Sequence, residues 1–101
     1  MNVRWQNQFK KDYRRMMKQG KDITKLDVVI NELAVPNILP ANYRDHPLKG
    51  EFDGYRDCHI EPDWILIYGY EILENNEQQL LLVRTGEPPK KPHFSAVSFI
   101  I

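Results

Sequence analysis

The hydrophobic period of the chain changes once, across two prolines. Ahead of Pro36, apolar residues recur at helical spacing, first as Phe9, Tyr13, Met16 and Met17, then as Ile23, Leu26, Ile30 and Leu33. Lys10, Lys11, Arg14, Arg15 and Lys18 occupy the other face of the first stretch, which predicts a basic amphipathic helix. Gly20 suits a helix stop, and Pro36 and Pro40 forbid continuation of the second helix, so the two should form a hairpin. Val3 to Gln6 would be a short opening strand.

From Tyr43 onward the pattern is that of strands. Asp53-Gly54 reads as a turn, followed by strands over Tyr55 to Ile60, Trp64 to Tyr70 and Gln79 to Arg84. Glu61-Pro62-Asp63 and Asn75-Asn76 are short connections, and short connections make an antiparallel meander. Helices first and strands afterward predict an α+β fold, two N-terminal helices packed on an antiparallel β-sheet. Trp64 to Tyr70 is apolar on both faces and belongs in the middle of that sheet. Glu87-Pro88-Pro89-Lys90-Lys91-Pro92 reads as an extended arm, and Val97 to Ile101 as a last edge strand.

A chain of 101 residues, 42% hydrophobic, is expected to be a single domain with enough apolar surface to fold without metal or disulfide staples. A single cysteine, Cys58, excludes an intramolecular disulfide and fits a reducing cytosol. The longest apolar runs, Trp64 to Tyr68 and Leu80 to Val83, fall far short of the roughly 20 residues that span a bilayer, and Met1 to Trp5 has none of the character of a signal peptide. The expectation is a cytoplasmic protein with no membrane partner. Net charge is zero, but residues 1–50 carry +5 and residues 51–101 carry −5. Such asymmetry steers a protein toward nucleic acid only if the basic side chains share a face.

The polar residues that stand out are His46, His59, Asp63, Arg84 and His93, near strand ends and loops. Cutting RNA without a metal needs a base for the 2′-hydroxyl proton, an acid for the departing 5′-oxygen and a cation for the phosphate. Two histidines and an arginine suffice. Each also has an ordinary structural role open to it: His46 before Pro47 would order a turn, His59 would be a hydrogen-bonded strand residue, and Arg84 would pair with Asp63. A zinc site is disfavoured, because adjacent Cys58 and His59 would point to opposite sheet faces. No phosphate-cradling glycine loop or nucleophile elbow is present. Trp64 and Tyr68 would stack on bases if exposed, although aromatic residues in an apolar run usually pack in a core.

Three segments carry a resemblance: Tyr43-Arg44-Asp45-His46-Pro47-Leu48-Lys49-Gly50, then Gly54 to Tyr68 (GYRDCHIEPDWILIY), then Arg84-Thr85-Gly86. With Phe9-Lys10-Lys11-Asp12 and Lys25-Leu26, they resemble the YafQ-type toxins of the RelE/ParE superfamily over residues 8–86. The resemblance implies a RelE-like fold over one domain, residues 1–101, with residues 87–101 an atypical C-terminal arm. It also implies ribosome-dependent, metal-independent cleavage of mRNA in the A site, with no cofactor. Carried over residue by residue, His46 and His59 match the catalytic histidines, Asp63 the acidic residue beside them and Arg84 the phosphate-stabilising arginine. Lys49, Arg56 and Trp64 are candidate RNA contacts, with a structural ion pair the alternative for Arg56.

The family usually places a histidine two residues after RTG and a phenylalanine four residues beyond it. Here those positions hold Pro88 and Pro92, and His93 and Phe94 are the candidates to supply the same side chains, catalytic and RNA-binding respectively, by a displaced route. The partners implied are a cognate antitoxin whose disordered tail folds on binding, the ribosome and mRNA, and operator DNA only through the antitoxin complex. The altered tail keeps open a degenerate toxin that binds antitoxin without cleaving RNA. A ParE-like gyrase inhibitor is the other alternative, against which the histidine pair speaks.

Overall fold

The computed structural model describes residues 1–35 and 43–88. The elements run β1 (Asn2–Trp5), α1 (Asn7–Lys18), α2 (Ile23–Leu33), β2 (His46–Pro47), a 3-10 turn (Gly50–Phe52), β3 (Arg56–Glu61), β4 (Trp64–Ile72) and β5 (Gln78–Gly86). The expected helix stops at Pro36 and Pro40, most of the arm, His93, Phe94 and the strand over Val97 to Ile101 lie outside the described residues.

Helix α1 ends because Gly20 takes a left-handed backbone with φ of 78°. Its N–H donates to Met17 O at 3.1 Å and that of Lys21 to Met16 O at 3.1 Å, a Schellman closure that a β-carbon would strain. Helix α2 starts where the Asp22 carboxylate accepts from Thr24 N at 3.2 Å. It stops at Leu33, ahead of the prolines. On α1 the buried face is Phe9, Asp12 and Met16, whereas Met17 is exposed. Tyr13 packs against the same core, and Asp12 puts a carboxylate on the face that the apolar stripe marks.

The sheet has the order β1-β5-β4-β3-β2, with β4 at its centre as expected. Strands β3, β4 and β5 form the antiparallel meander, and β2 adds to its far edge through His46 opposite Asp57. The sheet is mixed rather than antiparallel throughout, because β1 pairs parallel to β5, Val3 beside Leu80 and Trp5 beside Leu82. No short turn links those strands, so turn chemistry carries no trace of the pairing.

Alternation along β4 builds two cores. Trp64, Leu66 and Tyr68 face the helices with Cys58, Leu80 and Leu82, packed on Phe9, Met16, Leu26, Val29, Ile30 and Leu33. Ile65 and Ile67 face the other way, with Leu81, Val83 and Leu48, packed against Phe52 of the 3-10 turn and Tyr55 just after it. At about 1.5–3 kcal/mol for each fully buried large apolar side chain, the helix-facing cluster is the main stabilising unit. Gly69 is required by the second layer. A β-carbon there would lie 2.5 Å from Tyr55 Cδ1.

Candidate active site

Strand register assembles the site. It places His46 opposite Asp57, Asp57 opposite Ile67, and Ile67 opposite Arg84. Paired residues share a sheet face. One row across four strands therefore carries two charged residues and a histidine on the face turned away from the helices. The adjacent row on that face is His59, Ile65 and Gly86. Neighbouring strands are about 4.8 Å apart, so the row spans roughly 14 Å from His46 to Arg84.

The His46 ring is half-exposed and held at both nitrogens. Nδ1 lies 2.8 Å from Arg44 O, and a carbonyl only accepts, so Nδ1 carries a proton. Nε2 lies 3.0 Å from Oδ1 of the buried Asp57, an oxygen that accepts no aligned hydrogen bond. Two lone pairs at that distance repel, so the contact is favourable when the pair holds one further proton, on the ring or on the carboxyl. Burial raises the Asp57 carboxyl above its ordinary value, against the opposing pull of His46 and His59.

His59 stands partly buried in β3, and its Nδ1 is buried without a hydrogen-bond partner. It lines a groove of about 480 Å³ with Tyr43, Arg44, Ile60, Glu61 and Pro62. Buried polar atoms in native proteins are nearly all paired, which makes an orphaned ring nitrogen beside a groove a candidate for contact with substrate. The strand bearing His46 is pinned from behind by Asp45, which accepts from Tyr68 Oη at 2.6 Å and Arg56 Nε at 2.9 Å. Burial, and then the Asp45 carboxylate, push the Tyr68 hydroxyl well above the ordinary tyrosine range, so it stays a donor.

Arg84 pairs with Asp12, not with Asp63. Its Nε lies 2.8 Å from Asp12 Oδ2 and its Nη2 3.4 Å from Oδ1. Asp63 sits exposed in the β3–β4 turn, 3.8 Å from Lys21 Nζ. Among the described residues no hydrogen bond or ion pair joins Asp63 to either histidine. Trp64 is fully buried, with Nε1 donating to Thr85 Oγ1 at 2.8 Å, so base stacking on its ring would require the core to open. Arg56 has the ion pair with Asp45, and Lys49 is exposed ahead of the 3-10 turn. Cys58 is enclosed on the helix side, opposite in face to His59, and burial pushes its thiol far above the ordinary value.

Sequence reasoning missed Asp12, Asp45 and Asp57. A signal existed for Asp12, a carboxylate in the apolar stripe of an otherwise basic helix. For Asp57 it was the alternation that puts residues 57 and 59 on one face.

The sequence model of the family described as "Bacterial toxin of type II toxin-antitoxin system, YafQ" matches residues 1–88. The chain belongs to the YafQ family of toxins. It is 46% identical to the mRNA interferase toxin YafQ of Escherichia coli K12 over 68 residues, 66% of this chain and 74% of that one. The crystal structure of YafQ from E. coli BL21(DE3) superposes with a TM-score of 0.74 at 41% identity, covering 85% of this chain and 91% of the other. YafQ in the E. coli DinJ–YafQ complex superposes with a TM-score of 0.66 at 40% identity, covering 85% and 91%. The YafQ match stops at Pro88, so His93 and Phe94 fall beyond it. No helix among the described residues is long and apolar enough to cross a membrane.

Proposed function

We propose that this chain is an mRNA interferase, a ribosome-dependent endoribonuclease cutting mRNA in the A site by metal-independent acid/base catalysis, and that a cognate antitoxin holds it inactive in the cytoplasm. The observation that carries the reading is the placement of His46, Asp57, His59 and Arg84 in adjacent rows of one sheet face. Names borne by relatives, an mRNA interferase and a DinJ–YafQ complex, point the same way.

In this reading a base removes the 2′-hydroxyl proton, O2′ attacks phosphorus, and the P–O5′ bond breaks as an acid protonates the leaving oxygen. The products are a 2′,3′-cyclic phosphate and a 5′-hydroxyl. A proton held between His46 Nε2 and Asp57 Oδ1, 3.0 Å apart, would suit His46 to the role of acid, and the unpartnered nitrogen of His59 suits that ring to the role of base. Arg84 is the cation for the phosphate, Asp63 an accessory carboxylate at the turn, and Lys49 a backbone contact. The complex with antitoxin, rather than the toxin alone, would meet operator DNA.

Pro88 at the place of the family histidine favours a second reading, a toxin that retains the fold and binds antitoxin without cleaving RNA. Translation arrest with mapped mRNA ends in a cell-free system separates the two. Cleavage by wild type that is lost in His59→Ala supports the nuclease, and its loss in His93→Ala as well assigns the displaced tail histidine a part. Ribosome binding with intact mRNA would establish the degenerate toxin, and cutting of RNA without ribosomes would remove the A-site mechanism.

A further inference from the structure

Asp12 is the most completely buried charged residue described, and α1 brings it to an opening in the sheet edge. Strand β1 accompanies β5 only as far as Leu82, where Gln6 N donates to Leu82 O at 3.1 Å and the chain turns into α1. Past that point the outer edge of β5 is left to the helix, and the Asp12 carboxylate fills it. Oδ2 accepts from Thr85 N at 3.1 Å and Arg84 Nε at 2.8 Å. Oδ1 accepts from Arg15 Nη1 at 3.1 Å, Gln8 Nε2 at 3.4 Å and Arg84 Nη2 at 3.4 Å.

The two ties from Asp12 to β5 do different things. The bond to Thr85 N fastens the helix to the backbone of β5, whereas the bond from Arg15, three residues along the same helix, stays within α1. The bonds to Arg84 grip one side chain along its Nε–Nη2 edge. Two-point contact fixes the plane of a guanidinium, which a single ion pair does not. Arg84 also lies in the row that contains Asp57 and His46. A register irregularity between Ile67 and Tyr68 leaves Val83 as the extra residue of β5 just before it, and such irregularities re-aim the side chain that follows.

We propose that Asp12 is the positioning residue for Arg84: from the opposite side of the sheet edge it sets the plane in which the guanidinium meets the scissile phosphate. This rests on the reading of Arg84 as the phosphate cation. Asp12 itself touches no substrate.

The test is a double-mutant cycle in single-turnover cleavage of mRNA on programmed ribosomes, together with the ¹⁵N–¹H resonance of Arg84 Nε, which reports the grip without any reaction. Asp12→Asn keeps the shape and removes the charge. The expected result is a cleavage rate at saturating ribosomes roughly 10- to 100-fold lower, the scale set by small misplacements of a reacting group, with little change in ribosome affinity. In the Arg84→Ala background the same substitution should cause no further loss, and the slowly exchanging Nε–H signal should vanish in Asp12→Asn alone. If Asp12→Asn melts below the assay temperature, Asp12→Glu serves, since it keeps the charge and moves it by one methylene; its loss should likewise disappear with Arg84→Ala. An equal loss in both backgrounds, or none in either, overturns the positioning role. Wild-type protein that cleaves nothing while its Nε–H stays locked would overturn the nuclease reading, and the catalytic meaning of the grip with it, leaving the ion pair intact.

Discussion

Replacing Thr85 by Val isolates one buried hydrogen-bond relay behind the site. The Thr85 hydroxyl accepts from Trp64 Nε1 at 2.8 Å and donates to Ile65 O at 2.7 Å, and both Thr85 and Trp64 are fully enclosed. Valine fills nearly the same space, so no cavity opens and the cost is that of the missing hydroxyl. The Trp64 N–H is left without a partner and without access to water, at a cost of about 1–3 kcal/mol. Ile65 O loses one of its two acceptor positions, for roughly 0.5–1.5 kcal/mol more. The sum centres near 3 kcal/mol. With a urea m-value of about 1.5 kcal/mol/M, the midpoint should fall by about 2 M at unchanged m. By the scaling for domains of this size, melting should drop by roughly 12–24 °C. Trp64→Phe on top of Thr85→Val should cost less than the two single losses added together, because the orphaned N–H is removed with the indole. A loss under about 0.5 kcal/mol for Thr85→Val would refute the reasoning, since it would mean that the indole finds another partner and the relay is not sealed.

Two further outcomes follow from the geometry. Gly69→Ala should destabilise by about 1–3 kcal/mol in denaturant unfolding, because its β-carbon would lie 2.5 Å from Tyr55 Cδ1; the penalty should shrink when Tyr55 is itself alanine, and equal losses in both backgrounds would place the cost elsewhere. Burial raises the Asp57 carboxyl in the folded state, so the folded chain binds this proton more tightly than the unfolded one. Its favourable contribution is therefore present below the ordinary carboxylate value of 3.8 and lost as pH rises through the raised one. Asp57→Asn, which stays neutral, should melt above wild type at pH 7, with the gap closing as pH falls below about 4. A gap that widens toward acid would reverse the sign and show a carboxylate stabilised in its charged form.

Local patterns made most of the fold legible. Helical spacing from Phe9 to Leu33, the Gly20 stop and the short connections at Glu61-Pro62-Asp63 and Asn75-Asn76 all describe neighbours in sequence, and each reappears in the structure. The candidate site was legible in part. His46, His59 and Arg84 were named, and register places them in adjacent rows of one face. Asp12 and Asp57, which grip Arg84 and face His46, were not, because a carboxylate in a pattern of charges looks the same whether it meets water or a guanidinium.

By itself the sequence determined the α+β class, the order of the opening strand, the two helices and the three meander strands, the central position of Trp64 to Tyr70 and, through its motifs, the toxin family. These follow from periodicity and short-range turn chemistry, which act over a few residues. Only tertiary structure decided the parallel place of β1 beside β5, the extra residue at Val83 that precedes Arg84, and the partner of Arg84, 72 positions away at Asp12. Contacts at that separation depend on where whole elements come to rest once two apolar faces of the sheet are buried at the same time. No single stretch of the chain carries that information.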